Sequence, residues 1–168
     1  MERSETKWRQ NHHFYKNIKK EGMIKMLSGE HKHSLDVKSR IIMPSKFRTD
    51  LGDKFIITRG FDKCIAIYPI AEWEKLSGIV TAMSKIRVTN VQRYLFRYAC
   101  EVEPDKQGRI LIPASLKEAA GLEKDVVIVG LGTMAEIWDE QAWHKTADEM
   151  DIDEIMNQIE NYEKENNM

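Results

Sequence analysis

At 168 residues, 42% of them hydrophobic, the chain can bury one sizeable core or two small fused ones, which excludes disorder throughout. No stretch approaches the roughly 18 consecutive apolar residues of a membrane span, and no apolar run follows the basic N-terminal residues as in a secretory signal, so a cytoplasmic location is expected. The formal charge of −1 advertises no polyanionic partner, but its distribution does: residues 32–48 set Lys32, Lys38, Arg40, Lys46 and Arg48 against Asp36 alone, net +4, whereas residues 145–168 hold eight acids against Lys145 and Lys164, net −6.

Residues 1–25 mix Trp8, His12, His13, Phe14 and Tyr15 with polar residues at neither helical nor strand period, and read as a flexible leader. Lys20-Glu21-Gly22 can be encoded by a purine-rich, ribosome-binding type of codon run shortly before Met26, so Met26 is the expected native start; an intact Met1 peptide from the native host would exclude it. The alternative is a basic arm, seven Lys and Arg against three Glu, that grips phosphate.

From Leu27 onward the chain says the same thing twice. Asp36-Val37-Lys38-Ser39-Arg40-Ile41-Ile42-Met43-Pro44 returns 69 residues later as Asp105-Lys106-Gln107-Gly108-Arg109-Ile110-Leu111-Ile112-Pro113. Gly52 answers Gly121, Tyr68-Pro69 answers Trp138-Asp139, and Trp73 answers Trp143 at an offset of 70, so one residue is gained between Gly121 and Val126. A doubled unit with a basic turn suits an interaction surface built by pseudo-symmetry better than it suits an enzyme.

Each copy (26–76 and 100–146) is expected to fold alike. A short strand (31–35; 100–103) leads into a tight turn, and a second strand (40–43; 109–112) follows it. Proline then opens a short helix that glycine closes, from Pro44 to Gly52 and from Pro113 to Gly121. A hairpin comes next (55–58 with 64–68; 126–129 with 135–138), turning at Gly60 or Gly132, and a helix burying Trp73 or Trp143 ends the copy.

Between the copies, in the connector 77–99, Val88 to Ala99 has helical spacing that turns Val91, Leu95 and Tyr98 inward and Arg93 and Arg97 outward. In the last segment, 147–168, Ile152, Ile155, Met156, Ile159 and Tyr162 form an apolar stripe on an acidic helix, expected to be an oligomer contact or to dock on the core.

In Asp-x-x-x-Arg, the aspartate ends one strand and can accept backbone N–H bonds from the turn, which stiffens it. Gly108 suits a position of positive φ. Ser39, at the same place in the first copy, should cost about 1 kcal/mol of strain or change the turn type. A guanidinium on a rigid hairpin can grip guanine O6 and N7, or phosphate, and a β-ribbon can enter the major groove. A purely structural reading competes with this one: Arg40 and Arg109 could simply pair with Asp36 and Asp105 or with helix-end carbonyls.

From Met26 to about Trp143 the sequence resembles the MraZ family, bacterial regulators with two tandem SpoVT/AbrB-like domains. The likeness rests on Asp36, Lys38, Arg40, Pro44 and Arg48, on Tyr68-Pro69 with Glu72-Trp73, and on Arg93 and Arg97. It is completed by Asp105, Gly108-Arg109-Ile110, Ile112-Pro113, Glu136, Trp138 and Trp143-His144. The resemblance implies an α+β, β-rich fold: two pseudo-symmetric swapped-hairpin halves forming a double-split, barrel-like core with short helices.

It further implies a nucleoid-associated transcription factor with a repressor's habit of binding short direct repeats upstream of its own gene, at the head of a division and cell-wall cluster. Its partners would be double-stranded DNA and itself, in a ring such as an octamer. The family's DNA-contact motif falls on Asp36, Lys38 and Arg40 and on Asp105 and Arg109. Here Ser39 replaces the usual glycine, and Lys117 replaces the arginine that Arg48 represents in the first copy.

Arg40 and Arg109 are therefore expected to contact bases, with Lys38, Lys46, Arg48 and Lys106 setting phosphate register and Asp36, Asp105 and Gly108 organising the turns. The first copy, being the more basic along the chain, is expected to dominate. An enzyme is disfavoured, since neither a Gly-rich phosphate loop nor a serine nucleophile elbow is present. No metal site, cofactor, small-molecule substrate or membrane contact is expected. His31-x-His33 lacks a third ligand, Cys64 and Cys100 read as packing thiols, and Asp36 and Asp105 each lie beside an arginine that would keep them ionised. The remaining class is an oligomeric interaction scaffold or an antitoxin-like AbrB relative, with the acidic C-terminal helix as partner surface.

Overall fold

A computed structural model describes residues 26–83 and 85–166. Both expectations for residues 1–25, the leader and the basic arm, lie outside the described residues. Along the chain run β1 (Leu27–Ser34), β2 (Arg40–Ile42), α1 (Ser45–Leu51), β3 (Phe55–Arg59), β4 (Ile65–Pro69), α2 (Ile70–Ala82) and α3 (Lys85–Phe96). Then come β5 (Cys100–Val102), β6 (Arg109–Leu111), α4 (Ala114–Ala119), β7 (Asp125–Gly132), β8 (Ala135–Asp139), α5 (Glu140–Asp148) and α6 (Ile152–Asn166).

The fold is α+β. Six antiparallel strands form one sheet in the order β1-β7-β8-β4-β3-β5, and β2 and β6 form a separate two-stranded ribbon. Exchanging the two copies turns β1 into β5, β7 into β3 and β8 into β4, so the strand order reads the same from either edge. The leading strand of each copy has crossed to the other copy's hairpin: β1 pairs with β7, and β5 pairs with β3. Registers locate the pseudo-twofold axis. Ile41 pairs with its own equivalent Ile110, and Ala66 with its equivalent Glu136, as a twofold through both pairs requires.

The ribbon lies over the sheet, and one core fills the space between them. Ile41, Met43, Ile110 and Ile112 pack with Phe55, Ile57, Ile65, Ile67, Val126, Ile128 and Ile137, while Phe47 and Leu51 of α1 and Leu116 of α4 close the ends. β3 and β4 are buried along nearly their whole length, which accounts for their unbroken aliphatic runs. The helix of each copy plugs a second apolar cluster: Trp143 lies against Trp138 with ring centroids 5.7 Å apart, and the half-buried Trp73 lies against Tyr68 at 5.8 Å.

Three expectations are corrected. β1 begins at Leu27 instead of His31, because as an edge strand it is held by eight ladder positions on β7 and needs no apolar alternation of its own. The connector helix expected from Val88 to Ala99 is α3, which runs Lys85–Phe96. Leu95 is buried and Arg93 and Arg97 are exposed as expected, but Val91 is exposed, since α3 packs through its last turns onto Trp73, Leu76 and Val80. α6 does not dock on the core of its own chain, for none of its residues is buried.

Candidate nucleic-acid interface

The Asp-x-x-x-Arg turns sit at opposite ends of the β2-β6 ribbon. Asp36 Oδ1 accepts the backbone N–H of Lys38 and of Arg40, both at 2.9 Å, and Asp105 Oδ1 accepts those of Gln107 at 2.9 Å and Arg109 at 3.0 Å. A backbone bond closes each turn, from Ser39 N to Asp36 O at 2.9 Å and from Gly108 N to Asp105 O at 2.8 Å. Each turn is also tied to the opposite copy, Ile112 N donating to Ser39 O and Met43 N to Gly108 O, both at 2.9 Å. The turns are thus fixed on all sides by backbone bonds, and neither can flex without disturbing the other copy.

The purely structural reading of the arginines is partly realised. Arg40 donates through Nε to Asp36 Oδ2 at 2.7 Å and places Nη2 at 2.7 Å from the same oxygen; Arg109 Nε reaches Asp105 Oδ2 at 2.8 Å. Yet neither guanidinium is drawn inside. Directly opposed residues of an antiparallel ribbon share a face, and the register sets Arg40 opposite Leu111 and Ile42 opposite Arg109. Ile41 and Ile110 point into the core, so Arg40, Ile42, Arg109 and Leu111 together form the outer face, with Ile42 50% and Leu111 57% exposed. The two arginines are diagonal neighbours there, roughly 7–8 Å apart by strand geometry. No described hydrogen bond occupies Nη1 of either. The carboxylates aim the forks and leave their outer edges available.

Both aspartates are held below the usual carboxylate range, first by the backbone N–H bonds from Arg40 or Arg109 and then by those arginines' side chains. A carboxylate whose pKa falls on folding stabilises the fold above its unfolded pKa, and that contribution is lost as pH falls through the lower folded value. The turns are therefore expected to be intact above about pH 5 and to open only below about pH 4. Amide chemical shifts of Lys38, Gln107, Arg40 and Arg109 followed by NMR would show it; a transition near neutral pH would refute it.

Of the remaining cations, Lys38, next to the fully exposed Val37, and Lys106 are exposed at the tips of the first and second turns. Lys46 is exposed on α1 and donates to Ser28 Oγ at 3.3 Å. Lys32 is taken up elsewhere, 2.7 Å from Glu140 of α5, so the basic run is one charge smaller in space than along the chain. Arg48 crosses to the other copy and packs its guanidinium under Gly108, where its Nε is buried with no partner. Its counterpart Lys117 crosses the other way, with Nζ 3.4 Å from Ser39 Oγ. The exchange is one for one and leaves three cations at each turn, Lys38, Arg40 and Lys117 at the first and Lys106, Arg109 and Arg48 at the second; the first copy's excess along the chain is Lys32, paired with Glu140, and Lys46, bonded to Ser28.

That crossing accounts for both departures from the motif. Ser39 keeps the turn type and takes the strain, at φ 57°, the counterpart of Gly108 at φ 76°. A Cβ on Gly108 would fall 2.7 Å from Arg48 Cζ, whereas Ser39 faces the slimmer ammonium of Lys117. The two substitutions are one accommodation. Gly108→Ser is expected to destabilise the fold by about 2 kcal/mol through strain and overpacking. Adding Arg48→Lys should restore part of that loss, and additive effects in thermal unfolding would show the contact to be unimportant.

Candidate ligand groups outside the ribbon do not assemble. Among the described residues no three His, Cys, Asp or Glu side chains cluster as metal ligands would. His31 lies edge-on to Phe47 at 5.0 Å, and both cysteines are free, with burial pushing their thiols up. No described helix is long and apolar enough to cross a membrane.

The family described as "MraZ protein, putative antitoxin-like" matches the chain twice, over residues 26–92 and 95–164. The chain belongs to the MraZ family. Among MraZ relatives, the protein named transcriptional regulator MraZ from Acetivibrio thermocellus is 49% identical over 120 residues, 70% of this chain and 84% of that protein. The same-named protein of Halothermothrix orenii is 50% identical over 121 residues, again 70% and 84%, and that of Caldicellulosiruptor bescii is 45% identical over 141 residues, 80% and 97%. The two MraZ matches meet within α3.

What the sequence alone missed is the exposed aliphatic pair on the ribbon's outer face, Ile42 and Leu111. No motif singles out Ile42 and Leu111; they face outward because Ile41 and Ile110 are the inward positions of the three-residue ribbon strands.

Proposed function

We propose that this chain is a sequence-specific DNA-binding transcriptional regulator, not an enzyme, and that the β2-β6 ribbon is its reading head. The observation that carries the proposal is the pair of carboxylate-aimed guanidinium groups, related by the pseudo-twofold and presented on one outer face with no core role of their own. A two-stranded ribbon fits the major groove. Arg40 and Arg109 read base edges, Ile42 and Leu111 meet thymine methyl groups, and Lys38, Lys46 and Lys106 hold phosphate register. Arg48 supports the second turn from below. The regulator name carried by the relatives agrees with this reading.

One subunit offers few base contacts, so useful affinity requires several copies, in a ring-like homo-oligomer, to engage successive short direct repeats upstream of the chain's own division and cell-wall gene cluster. A mobility-shift titration with that upstream DNA, varying repeat number and salt, tests the proposal. Retardation should steepen with each added repeat, and log K should fall with log salt by about 0.9 per phosphate engaged. Equal retardation of unrelated DNA, or none, would turn the assignment toward an interaction scaffold.

A further inference from the structure

Two exposed surfaces of this chain complement each other. The first is α6, fifteen residues with none buried, its start capped by Asp151 Oδ1 accepting from Asp153 N at 2.9 Å. A helix of this length is marginal in water when it packs on nothing. At 100° per residue Ile152, Ile155, Met156, Ile159 and Tyr162 share one side, all exposed. Glu163 stands on that same side, eleven residues after Ile152, and Asp153 and Glu160 border it. A carboxylate inside the stripe suits neither burial in a core nor pairing with an identical helix, which would set like charges together. It suits an apolar surface edged with cations.

The ribbon's outer face is such a surface: Ile42 and Leu111 at its centre, Arg40 and Arg109 on its diagonal, Val37, Lys38 and Lys106 at the tips. Within one chain both surfaces stay exposed, so the helix that covers a ribbon must come from another copy. We propose that α6 of a neighbouring copy docks on the ribbon and competes with DNA for it, so that the assembly limits its own affinity. This rests on the ribbon being the DNA-binding surface. The free face is then available only to the undocked fraction, and apparent affinity falls in proportion to that fraction. A helix docked nine-tenths of the time weakens binding about tenfold.

The test uses the full chain. Equal amounts of isotopically light and heavy protein are mixed and treated with a carbodiimide, which joins carboxylates to amines in direct contact. Mixed light–heavy links from Lys38 or Lys106 to Asp153, Glu160 or Glu163, suppressed by promoter DNA, are expected. Separately, Glu160→Gln with Glu163→Gln should tighten DNA binding about three- to tenfold. Glu154→Gln with Glu165→Gln, which removes the same charge from the opposite side of α6, should change it little. Equal tightening by both pairs would reduce the effect to net charge and overturn the proposal, as would links joining α6 only to α6. Ribbon links in a protein that binds no DNA would keep the docking and refute the DNA-binding reading; Arg40-dependent DNA binding without ribbon links would do the reverse.

Discussion

Gly130→Ala is expected to lower stability by about 3 kcal/mol or more, a large share of the 5–15 kcal/mol typical of a folded domain. Gly130 lies in β7 directly opposite Gly29 of β1, and the β1 backbone passes so closely over it that β7 can carry no side chain there. A Cβ on Gly130 would fall 2.5 Å from the Leu27 carbonyl carbon and 2.6 Å from Ser28 Cα. These are main-chain atoms, and no rotamer change relieves the clash, so β1 must separate from β7.

Losing that pairing removes more than one ladder. β1 is the swapped strand that ties the first copy to the second, and it leads through Leu35 into the first Asp-x-x-x-Arg turn. The variant should therefore unfold about 6–12 °C lower and weaken the first turn before the second. Gly78→Ala is the control. Gly78 is exposed in α2, and a Cβ there would meet nothing within 4 Å, so alanine should raise stability by up to about 1 kcal/mol through helix propensity. Thermal unfolding of both variants checks the pair, and a Gly130→Ala protein as stable as its parent would mean that β1 does not pair as described.

How much of this was legible in the sequence depends on whether a feature is local. The turns were: Asp36 and Asp105 at their strand ends, positive φ at Gly108, proline before each short helix, with only the choice at Ser39 between strain and another turn type left open. All are set within a few residues by side chains that bond to their own backbone. The hairpins were equally plain from aliphatic runs broken by Gly60 and Gly132. Strand exchange was legible only through the family resemblance, which implied swapped-hairpin halves, and not from the strands themselves, because β1 meets β7 about a hundred positions away and its Leu27–Ser34 segment, with Gly29, Glu30 and Lys32, has no apolar alternation.

The same limit applies at the interface. Cations counted along the chain gave the first copy the greater charge, but its excess, Lys32 and Lys46, is paired with Glu140 or bonded to Ser28 away from the turn, while Arg48 and Lys117 change places between the copies. A trace of this was present in the sequence all along. The copy whose turn has glycine faces the arginine, and the copy whose turn has serine faces the lysine; two coupled differences between repeats mark a contact between them.

Arg40→Ala and Arg109→Ala are each expected to cost about 1–3 kcal/mol of DNA affinity per engaged subunit and to relax specificity, and the double variant should bind no promoter DNA measurably. In the proposed oligomer losses compound, because each subunit carries the same change and an assembly engaging several repeats would lose the product of its single-site losses. Removing a guanidinium also does more than delete a base contact. Asp36 or Asp105 then faces the phosphate backbone unpaired, a repulsion the parent never shows. Asp36→Asn added to Arg40→Ala should therefore recover part of the affinity, although it restores no base contact. Arg40→Lys should keep the salt slope and lose discrimination, since an ammonium holds charge without the planar fork that reads guanine.

Because the cations are shared evenly between the turns, the two single alanine variants should fall within a few-fold of one another, and the dominance of the first copy expected from chain order should disappear. Fluorescence anisotropy at matched salt decides it. A tenfold greater loss from Arg40→Ala would show that Lys46, which has no basic counterpart at Ser115, keeps the first copy dominant; unchanged affinity in both variants would remove the ribbon from the DNA altogether.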